Sequence, residues 1–284
     1  MSGLEPRQLD ALRALDIGEI SADAPLAALN RLGLAARADA LAVVRDRSAL
    51  DRLARWARRE RLALTPLEHG TDRLLREGGL RGLSLLLGAG FATAERRGDR
   101  LHLGGACTLA TARSLDLPLP GWLACEPDER TVASVVGALA AGAATTSPPS
   151  DVEVVLGRGV IEHSLPSPDR PRLGLRDEAV CLGLAVPILA DRGDPPSAPP
   201  GVRLLLDPAR GSSAADLVRR SGLAGVRVRG ARLLESTPER VVVEGEGSAR
   251  DVEALLRWVQ QRVATDWGVE LESALRIAGD MHRP

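Results

Sequence analysis

The stretch LTPLEHGTDRLLREGGLRGLSLLL, residues 64–87, places two short apolar segments on either side of a polar turn that contains glycine. Short apolar runs bounded by turn residues are typical of buried strands. We therefore predict one strand at residues 62–66 and another at residues 83–87. The EHGTD segment between them, residues 68–72, is a surface turn when it is considered alone.

The pattern of strands and helices continues upstream of this stretch. Residues 40–44 are apolar and predict a strand. Asp46-Arg47-Ser48 offers an N-cap for a helix at residues 49–61, because a side-chain oxygen there accepts from the first free backbone N–H groups. Residues 101–103 predict a further strand. Strands and helices mixed in this order favour the α+β class.

A second set of elements follows a proline-rich segment. Residues 213–221 predict a helix that ends at Gly222, and residues 241–244 predict a strand. Ser248 or Asp251 is placed to cap a long helix. One face of that helix carries five apolar residues: Val252, Leu255, Leu256, Val259 and Val263.

The domain organisation follows from the segment DRGDPPSAPPG at residues 191–201, in which four of eleven residues are proline. Such a segment is typical of a stiff linker. We predict a helical arm at residues 1–29, a first domain at 30–190, a linker at 191–200 and a second domain at 201–284.

Residues 131–150 carry no charge, yet their Ala, Gly, Ser and Thr content predicts a packed internal helix instead of a membrane span.

Composition excludes several classes of function. The 37 basic and 38 acidic residues give a net charge of −1, which is no electrostatic footprint for nucleic acid. The sequence contains no Lys and no Tyr, which excludes Schiff-base chemistry, P-loop phosphate transfer and a catalytic tyrosine. Three Cys without C-x-x-C spacing predict buried thiols in a reducing cytoplasm. The scattered His residues predict no metal site, and no pattern indicates an oligomer, so we expect a monomer.

Three stretches together resemble the UDP-N-acetylenolpyruvoylglucosamine reductase (MurB) family. NRLGLAARAD at residues 30–39 is similar to the family's N-T-x-x-x-G-G-x-A-D, and residues 64–87 are similar to its strand, G-G-G-S-N turn and following strand. Residues 247–279 follow its A-T-A-x-D-V helix and G-V-x-L-x-x-E-V-x-x-x-G ending. The resemblance covers residues 30 to 279 and is most specific in the last stretch.

The resemblance implies an FAD-binding module of two subdomains, of the MurB/PCMH type, followed by a smaller α+β domain of the MurB C-terminal type. It also implies FAD as cofactor, NADPH as electron donor and a UDP-sugar as ligand. Hydride passes from the flavin to an enolpyruvyl sugar, a Ser protonates the resulting enol, and a Glu and an Arg stabilise it. The one such residue that carries over is Arg176. The resemblance places the cofactor-binding positions at Asn30, Gly70, Thr71, Asp72 and Gly137.

Several positions depart from the family motifs. Glu68 and His69 stand where two glycines are expected, and the acids of the turn argue against a bound diphosphate because like charges repel. The serine position falls on Arg203 and its lysine position on Leu206. The glutamate position falls on Ala274.

The sequence therefore predicts a member that keeps the fold and has lost the chemistry. The alternatives are an active, divergent UDP-N-acetylmuramate dehydrogenase using FAD and NADPH, with Glu272 or Ser273 as the acid, and another flavoprotein of the same superfamily.

Overall fold

The structure is a computed structural model that describes residues 4–115, 117, 119–140, 153–157, 161–164, 180–188, 200–208 and 211–282. The strands in chain order are β1 Gly18–Pro25, β2 Arg37–Val44, β3 Leu64–Leu67, β4 Leu74–Leu75, β5 Leu80–Leu87, β6 Ala94–Arg97, β7 Arg100–Gly104, β8 Glu153–Gly157, β9 Ile161–Ser164, β10 Val180–Pro187, β11 Val202–Arg203, β12 Arg227–Val228, β13 Ala231–Leu233, β14 Arg240–Val243 and β15 Ile277–Ala278. The α-helices are α1 Pro6–Arg13, α2 Arg47–Arg59, α3 Leu109–Arg113, α4 Gly121–Ala124, α5 Val132–Ala140, α6 Ala214–Arg220 and α7 Ala249–Trp267.

The first sheet has the strand order β1-β2-β5-β3, with β2 and β3 both parallel to β5. Parallel strands of one sheet need a crossover connection, and helix α2 supplies it between β2 and β3, which lie on either side of β5. The Asp46 carboxylate caps that helix by accepting from the Ala49 N–H at 2.8 Å. Leu53 and Trp56 of the helix are buried in one cluster with Leu83 of β5. The predicted strands and cap in this region are confirmed, although β2 and β5 each begin three residues earlier than expected and β3 covers Leu64–Leu67 instead of 62–66.

The expectation of a helical arm over residues 1–29 is only partly met. Helix α1 is present and buries Leu12 in the core of the first sheet. Residues Gly18–Pro25 are instead a strand that pairs antiparallel with β2 along its whole length. Most side chains of this strand are exposed or half-buried, so it lacks the apolar alternation by which the sequence reveals a strand.

The second sheet is antiparallel in the order β6-β7-β10-β8-β9 and packs against helix α5. Val132, Val135 and Val136 of the helix are buried together with Leu101 and Leu103 of β7. The uncharged stretch is therefore a packed internal helix over Val132–Ala140, as predicted, and residues 141–150 lie outside the described residues. Within the described part of the chain, no helix is long and apolar enough to cross a membrane.

The third sheet, in the order β11-β14-β13-β12, is covered by helices α6 and α7. Ser248 caps α7 in a capping box with Asp251, and Gly268 ends the helix in the left-handed conformation. All five predicted apolar residues of α7 are buried in the core of this unit. The described cysteines, Cys107, Cys125 and Cys181, are buried, as expected.

The chain then returns to the first part of the molecule. Strand β15 pairs in parallel with β4, so that Ile277 lies beside Leu74 and Ala278 beside Leu75. The Leu74 N–H donates to the Arg276 carbonyl at 2.9 Å. This pairing brings residues near position 276 next to the turn that follows β3.

Candidate functional site

The turn at residues 68–72 connects β3 to β4 and contains most of the predicted cofactor-binding positions. Gly70 has φ +69°, and a Cβ atom there would lie 3.1 Å from the Arg130 Cα, so the turn requires glycine. Thr71 is buried, and its backbone pairs with both Leu29 and Arg31. Two backbone hydrogen bonds therefore attach the turn to the segment at residues 29–31.

Asn30 is buried and connects this turn to the segment before β2. Its amide Nδ2 donates to the Arg73 carbonyl at 2.8 Å, and its Oδ1 accepts from the Leu32 N–H at 2.7 Å. The amide thus has one donor bond and one acceptor bond within the protein. Its role in the structure is to position the turn.

Asp72 lies in a buried ion-pair network. Its carboxylate is 3.0 Å from the Arg31 guanidinium and 3.0 Å from the Arg130 guanidinium. Arg130 also pairs with Glu126 at 2.8 Å and donates to the Ser134 carbonyl. Burial acts to lower the pKa of Arg130, but the two carboxylates outweigh it and the pKa is raised. Two positive and two negative charges therefore balance one another in this network.

A second group consists of Glu68, the buried Arg73 and the nearby, half-buried Arg276, and is called the Glu68 group. The Glu68 Oε2 lies 3.7 Å from the Arg73 Nε, and both side chains are at least nine-tenths buried. A Cβ atom on Gly137 would lie 2.7 Å from the Arg276 Nη2 and 3.7 Å from the Glu68 Oε1. Arg276 and Glu68 therefore both reach the bare backbone of helix α5 at Gly137.

The first turn of helix α5 is closed by internal hydrogen bonds. The Thr131 N–H donates to the His69 carbonyl at 3.4 Å, the Val132 N–H to the Cys107 carbonyl at 2.9 Å and the Ala133 N–H to the Gly105 carbonyl at 2.9 Å. The gap between this helix end and residues 67–69 is only about 10 Å³. Such a gap has room for about one water molecule.

A larger cavity of about 300 Å³ adjoins the outer side of the turn. Its lining consists of Ala28, Asn30, Arg31, His69, Gly70, Glu129 and Gly201. The Gly201 carbonyl accepts from both Arg31, at 3.2 Å, and Arg240, at 2.7 Å. Burial lowers the pKa of Arg240, and the nearby Arg31 lowers it further. The segment that leads into β11 is thus attached to the turn through Arg31, which also contacts Asp72, and to β14 through Arg240.

A third group of residues occupies the positions that the resemblance assigns to the reaction. Leu206 and Ala274 are buried and form a small apolar cluster with Ala138 of helix α5. The Leu206 N–H donates to the Glu272 carbonyl at 2.9 Å. Since Ala138 directly follows Gly137, this cluster lies beside the Glu68 group.

The polar residues around this cluster have other contacts. The Arg203 guanidinium lies 2.6 Å from the Asp207 carboxylate. The Ser273 hydroxyl donates to the Leu275 carbonyl at 3.2 Å, and Glu272 is exposed. No described side chain of the apolar cluster carries a titratable proton.

The structure brings together Asn30, Gly70, Thr71 and Asp72 in one turn region, with Gly137 facing it from helix α5. Arg176 lies outside the described residues. The sequence reasoning missed the cations around the turn, namely Arg31, Arg73, Arg130 and Arg276. The signal for them was the pair of acids in a turn next to a buried strand, because buried carboxylates need cationic partners.

Among the described residues, the turn at 68–72 and the start of helix α5 do not fit the diphosphate of the flavin that the resemblance implies. A bound diphosphate needs free backbone N–H groups and uncompensated positive charge. Here the first N–H groups of α5 donate to carbonyls, and Glu68 and Asp72 bring carboxylates to the turn. Among the described residues, no group of three or more His, Cys, Asp or Glu side chains is placed to hold a metal ion.

The chain is similar to proteins of one family over most of its length. The family model described as "UDP-N-acetylenolpyruvoylglucosamine reductase, C-terminal domain" matches residues 193–278. The UDP-N-acetylenolpyruvoylglucosamine reductase of Anaeromyxobacter sp. (strain Fw109-5) is 31% identical over 93% of this chain and 90% of its own length. The enzyme of the same name from Alkalilimnicola ehrlichii is 28% identical over 74% of this chain and 78% of its own.

A solved structure is similar in fold. The crystal structure of UDP-N-acetylenolpyruvylglucosamine reductase from Thermus caldophilus aligns with a TM-score of 0.65 at 20% sequence identity. The alignment covers 92% of this chain and 98% of that one. The predicted fold class is confirmed.

Proposed function

Because the chain belongs to the UDP-N-acetylenolpyruvoylglucosamine reductase family, we propose that it is a member associated with peptidoglycan precursor synthesis that does not catalyse the reduction. The observation that carries this proposal is the apolar cluster of Ala138, Leu206 and Ala274. It occupies the place where the resemblance expects a lysine and a glutamate.

The chemistry of these side chains supports a loss of turnover. Leucine and alanine have no proton to give, and arginine does not release its proton in proteins. Arg203, at the serine position, is moreover paired with Asp207. Loss of a general acid costs about 10²–10⁴ in rate. Without a replacement acid, the enol formed on the substrate has no proton source among these residues.

The neighbouring polar residues are poor replacements. The Ser273 hydroxyl donates a hydrogen bond to the Leu275 carbonyl, and Glu272 is exposed and lies two positions before Ala274. Two residues along an extended chain amount to about 6.6 Å, so Glu272 is displaced by that distance from the expected position of the acid.

The ligand that remains compatible with family membership is a UDP-sugar. We propose a cytoplasmic, monomeric protein that binds this ligand without converting it.

A second candidate is an active reductase that uses FAD and NADPH. It is favoured by the relative from Anaeromyxobacter, which matches over nine-tenths of both chains. Arg176 is the residue that would stabilise the reacting enol in such an enzyme. Whether the chain turns over the substrate separates the two candidates.

The test is an assay of NADPH oxidation by the purified chain, with saturating FAD and the UDP-linked enolpyruvyl sugar. The Anaeromyxobacter reductase in the same buffer is the positive control. We expect no substrate-dependent loss of NADPH absorbance above the protein-free rate. A rate within about a hundredfold of the control would refute the proposal, since a missing acid alone costs that much.

A further inference from the structure

The segment that forms helix α2 is strongly basic. Residues 45–61 contain seven Arg and three acids, whereas the whole chain has a net charge of −1. The inner side of the helix packs on the first sheet through its buried apolar residues, namely Ala49, Leu50, Leu53, Trp56 and Ala57. The charged side chains of the helix therefore lie on its outer side.

Three of these arginines form a row along the outer side of the helix. Arg47, Asp51, Arg55 and Arg58 follow one another at intervals of three or four residues, so the helix places them on one face. Arg55 and Arg58 are exposed, and Arg47 is half-buried. From the first to the last of them the helix axis extends about 16 Å. We call Arg47, Arg55 and Arg58 the arginine row.

The charge of the arginine row is not neutralised by neighbouring acids. Other arginines of the segment are paired, since Arg45 lies 3.3 Å from Asp16 and Arg59 lies 3.8 Å from Glu60. In the part of the chain that the structure describes, no carboxylate forms an ion pair with a member of the row. The acid on the same face is Asp51, which offsets at most one of the three charges.

This face lacks the apolar anchors that a protein partner would need. Protein interfaces are centred on aromatic or aliphatic side chains that fill pockets on the partner. Among the described residues, the exposed large apolar side chains are Trp258, Trp267 and Ile277, all outside helix α2, whose own Trp56 is buried. Guanidinium groups without such an anchor bind phosphate groups, which accept from their paired N–H donors.

The charge of the rest of the chain favours a flat anionic surface over a nucleic acid. The isoelectric point of the chain is about 6.5, whereas domains that bind nucleic acid are typically strongly basic. Charges more than about 8–10 Å apart are largely screened at physiological salt. A layer of headgroups that meets only the outer side of α2 therefore interacts with the arginines and little with the acidic remainder of the chain.

We propose that the arginine row docks this protein on an anionic lipid surface, with the axis of helix α2 parallel to the layer of headgroups. The apolar side chains of the helix stay packed on the first sheet, so the docking is peripheral and electrostatic. Each arginine near such a surface contributes about fivefold to the partition coefficient. The inference does not depend on turnover or on the binding of a UDP-sugar.

The experiment measures cosedimentation of the full chain with lipid vesicles at low ionic strength. Vesicles of phosphatidylcholine and phosphatidylglycerol in equal parts are compared with vesicles of phosphatidylcholine alone. We expect the wild type to bind only the anionic vesicles and to be released by added sodium chloride, which screens the attraction. A wild-type protein that stays in the supernatant with both kinds of vesicle overturns the proposal.

A triple variant assigns the binding to the row. Arg47→Gln/Arg55→Gln/Arg58→Gln, shown by circular dichroism to be folded, should lower the partition coefficient at least about tenfold. A smaller drop overturns the proposal.

A second triple variant controls for net charge. Arg219→Gln/Arg257→Gln/Arg262→Gln removes as many exposed arginines from helices α6 and α7. Its partition coefficient should stay within about threefold of that of the wild type, because the removed charges lie on another part of the surface. Equal losses in the two triple variants mean that net charge alone governs binding, which overturns the proposal.

Asp51→Asn decides the matter if the first triple variant does not fold. It removes the acid from the face and should raise the partition coefficient about fivefold. An unchanged coefficient overturns the proposal.

A random DNA duplex in place of the vesicles tests the other class of polyanion. We expect the wild type to bind it more weakly per phosphate than the anionic vesicles. Tighter or equal binding, lost in the first triple variant, assigns the row to nucleic acid and overturns the lipid assignment.

Discussion

The Asp72 carboxylate lies 3.0 Å from the Arg130 guanidinium, and both side chains are about nine-tenths buried or more. Arg130 serves two acids at once, because it also pairs with Glu126 at 2.8 Å. It is thus the cation on which the first buried network depends.

Replacement of Arg130 by Met should lower the free energy of unfolding by about 3–5 kcal/mol, because it leaves two buried carboxylates without their shared partner. Urea titration followed by circular dichroism measures this loss. The double variant Arg130→Met/Glu126→Gln should regain part of it, since one cation and one acid are removed together and Asp72 keeps its pair with Arg31. Arg257→Gln is the surface control: Arg257 is exposed and lies 3.9 Å from Glu253, which keeps its 2.7 Å pair with Arg76, so stability should change by less than about 0.5 kcal/mol. A loss below 1 kcal/mol for Arg130→Met would contradict the structure.

The apolar cluster of Ala138, Leu206 and Ala274 predicts that a carboxylate introduced at position 274 will destabilise the folded protein. Ala274→Glu places a longer, charged side chain between Leu206 and Ala138. We expect a loss of about 2–5 kcal/mol from burial of the charge and from overpacking. Ala110→Glu, the same change at an exposed position of helix α3, is the matched control and should stay within about 0.5 kcal/mol. Equal stability of both variants would show that the cluster is open to solvent.

The helix cap at Asp46 predicts a dependence of stability on acid pH. The Ala49 N–H holds the pKa of Asp46 below its usual range, and Arg45 and Arg52 act in the same direction. A lowered folded-state pKa gives stability that is present above the unfolded value of about 3.9 and is lost as pH falls through the folded value. Asp46→Ser keeps a capping oxygen and removes the titration. Its melting temperature should therefore change less than that of the wild type between about pH 5 and pH 3, and equal slopes would count against the cap.

The cysteines should be chemically silent in the native protein. Burial raises the pKa of Cys107 to about 11 and that of Cys181 to about 12. Because the thiolate is the reactive form, neither should react with Ellman's reagent in native protein at pH 8. Cys125 is buried as well. We expect all three to react at once in denaturant, and a fast native thiol would reveal an opening of the core.

The tight approach at Gly79 predicts a strong effect of a single methyl group. Gly79 has φ +81°, and a Cβ atom there would lie 2.1 Å from the Arg37 carbonyl oxygen. Gly79→Ala should cost about 3 kcal/mol or more, from strain and backbone displacement together. Gly98, with φ +64° and no atom within 4 Å of its Cβ position, isolates the strain alone. Gly98→Ala should cost about 1–2 kcal/mol in the same urea titration.

The secondary structure could be predicted from the sequence where the local apolar pattern matches the residues that are buried. Helix α7 shows its apolar stripe, its Ser248 cap and its glycine end within a single stretch, so each could be inferred without the rest of the chain. The family resemblance, drawn from three stretches, is likewise confirmed by the relative from Anaeromyxobacter.

What the sequence could not reveal depends on contacts between distant segments. Strand β1 pairs with β2, yet only one of its side chains is buried. Its sequence therefore shows no alternation of apolar and polar residues from which a strand could be predicted. The partners of the turn were missed for the same reason. Arg130 and Arg276 lie about 60 and 200 residues from the acids that they face, and no local pattern records such a distance.

The pairing of β15 with β4 sets an order of events during synthesis. The Leu74 N–H can donate to the Arg276 carbonyl only after about 200 further residues have been synthesised. The same delay applies to the approach of Arg276 to Glu68. Contacts of such high sequence separation form slowly. A nascent chain released before residue 276 therefore lacks the β15–β4 pair and has only one of the two arginines that lie near Glu68.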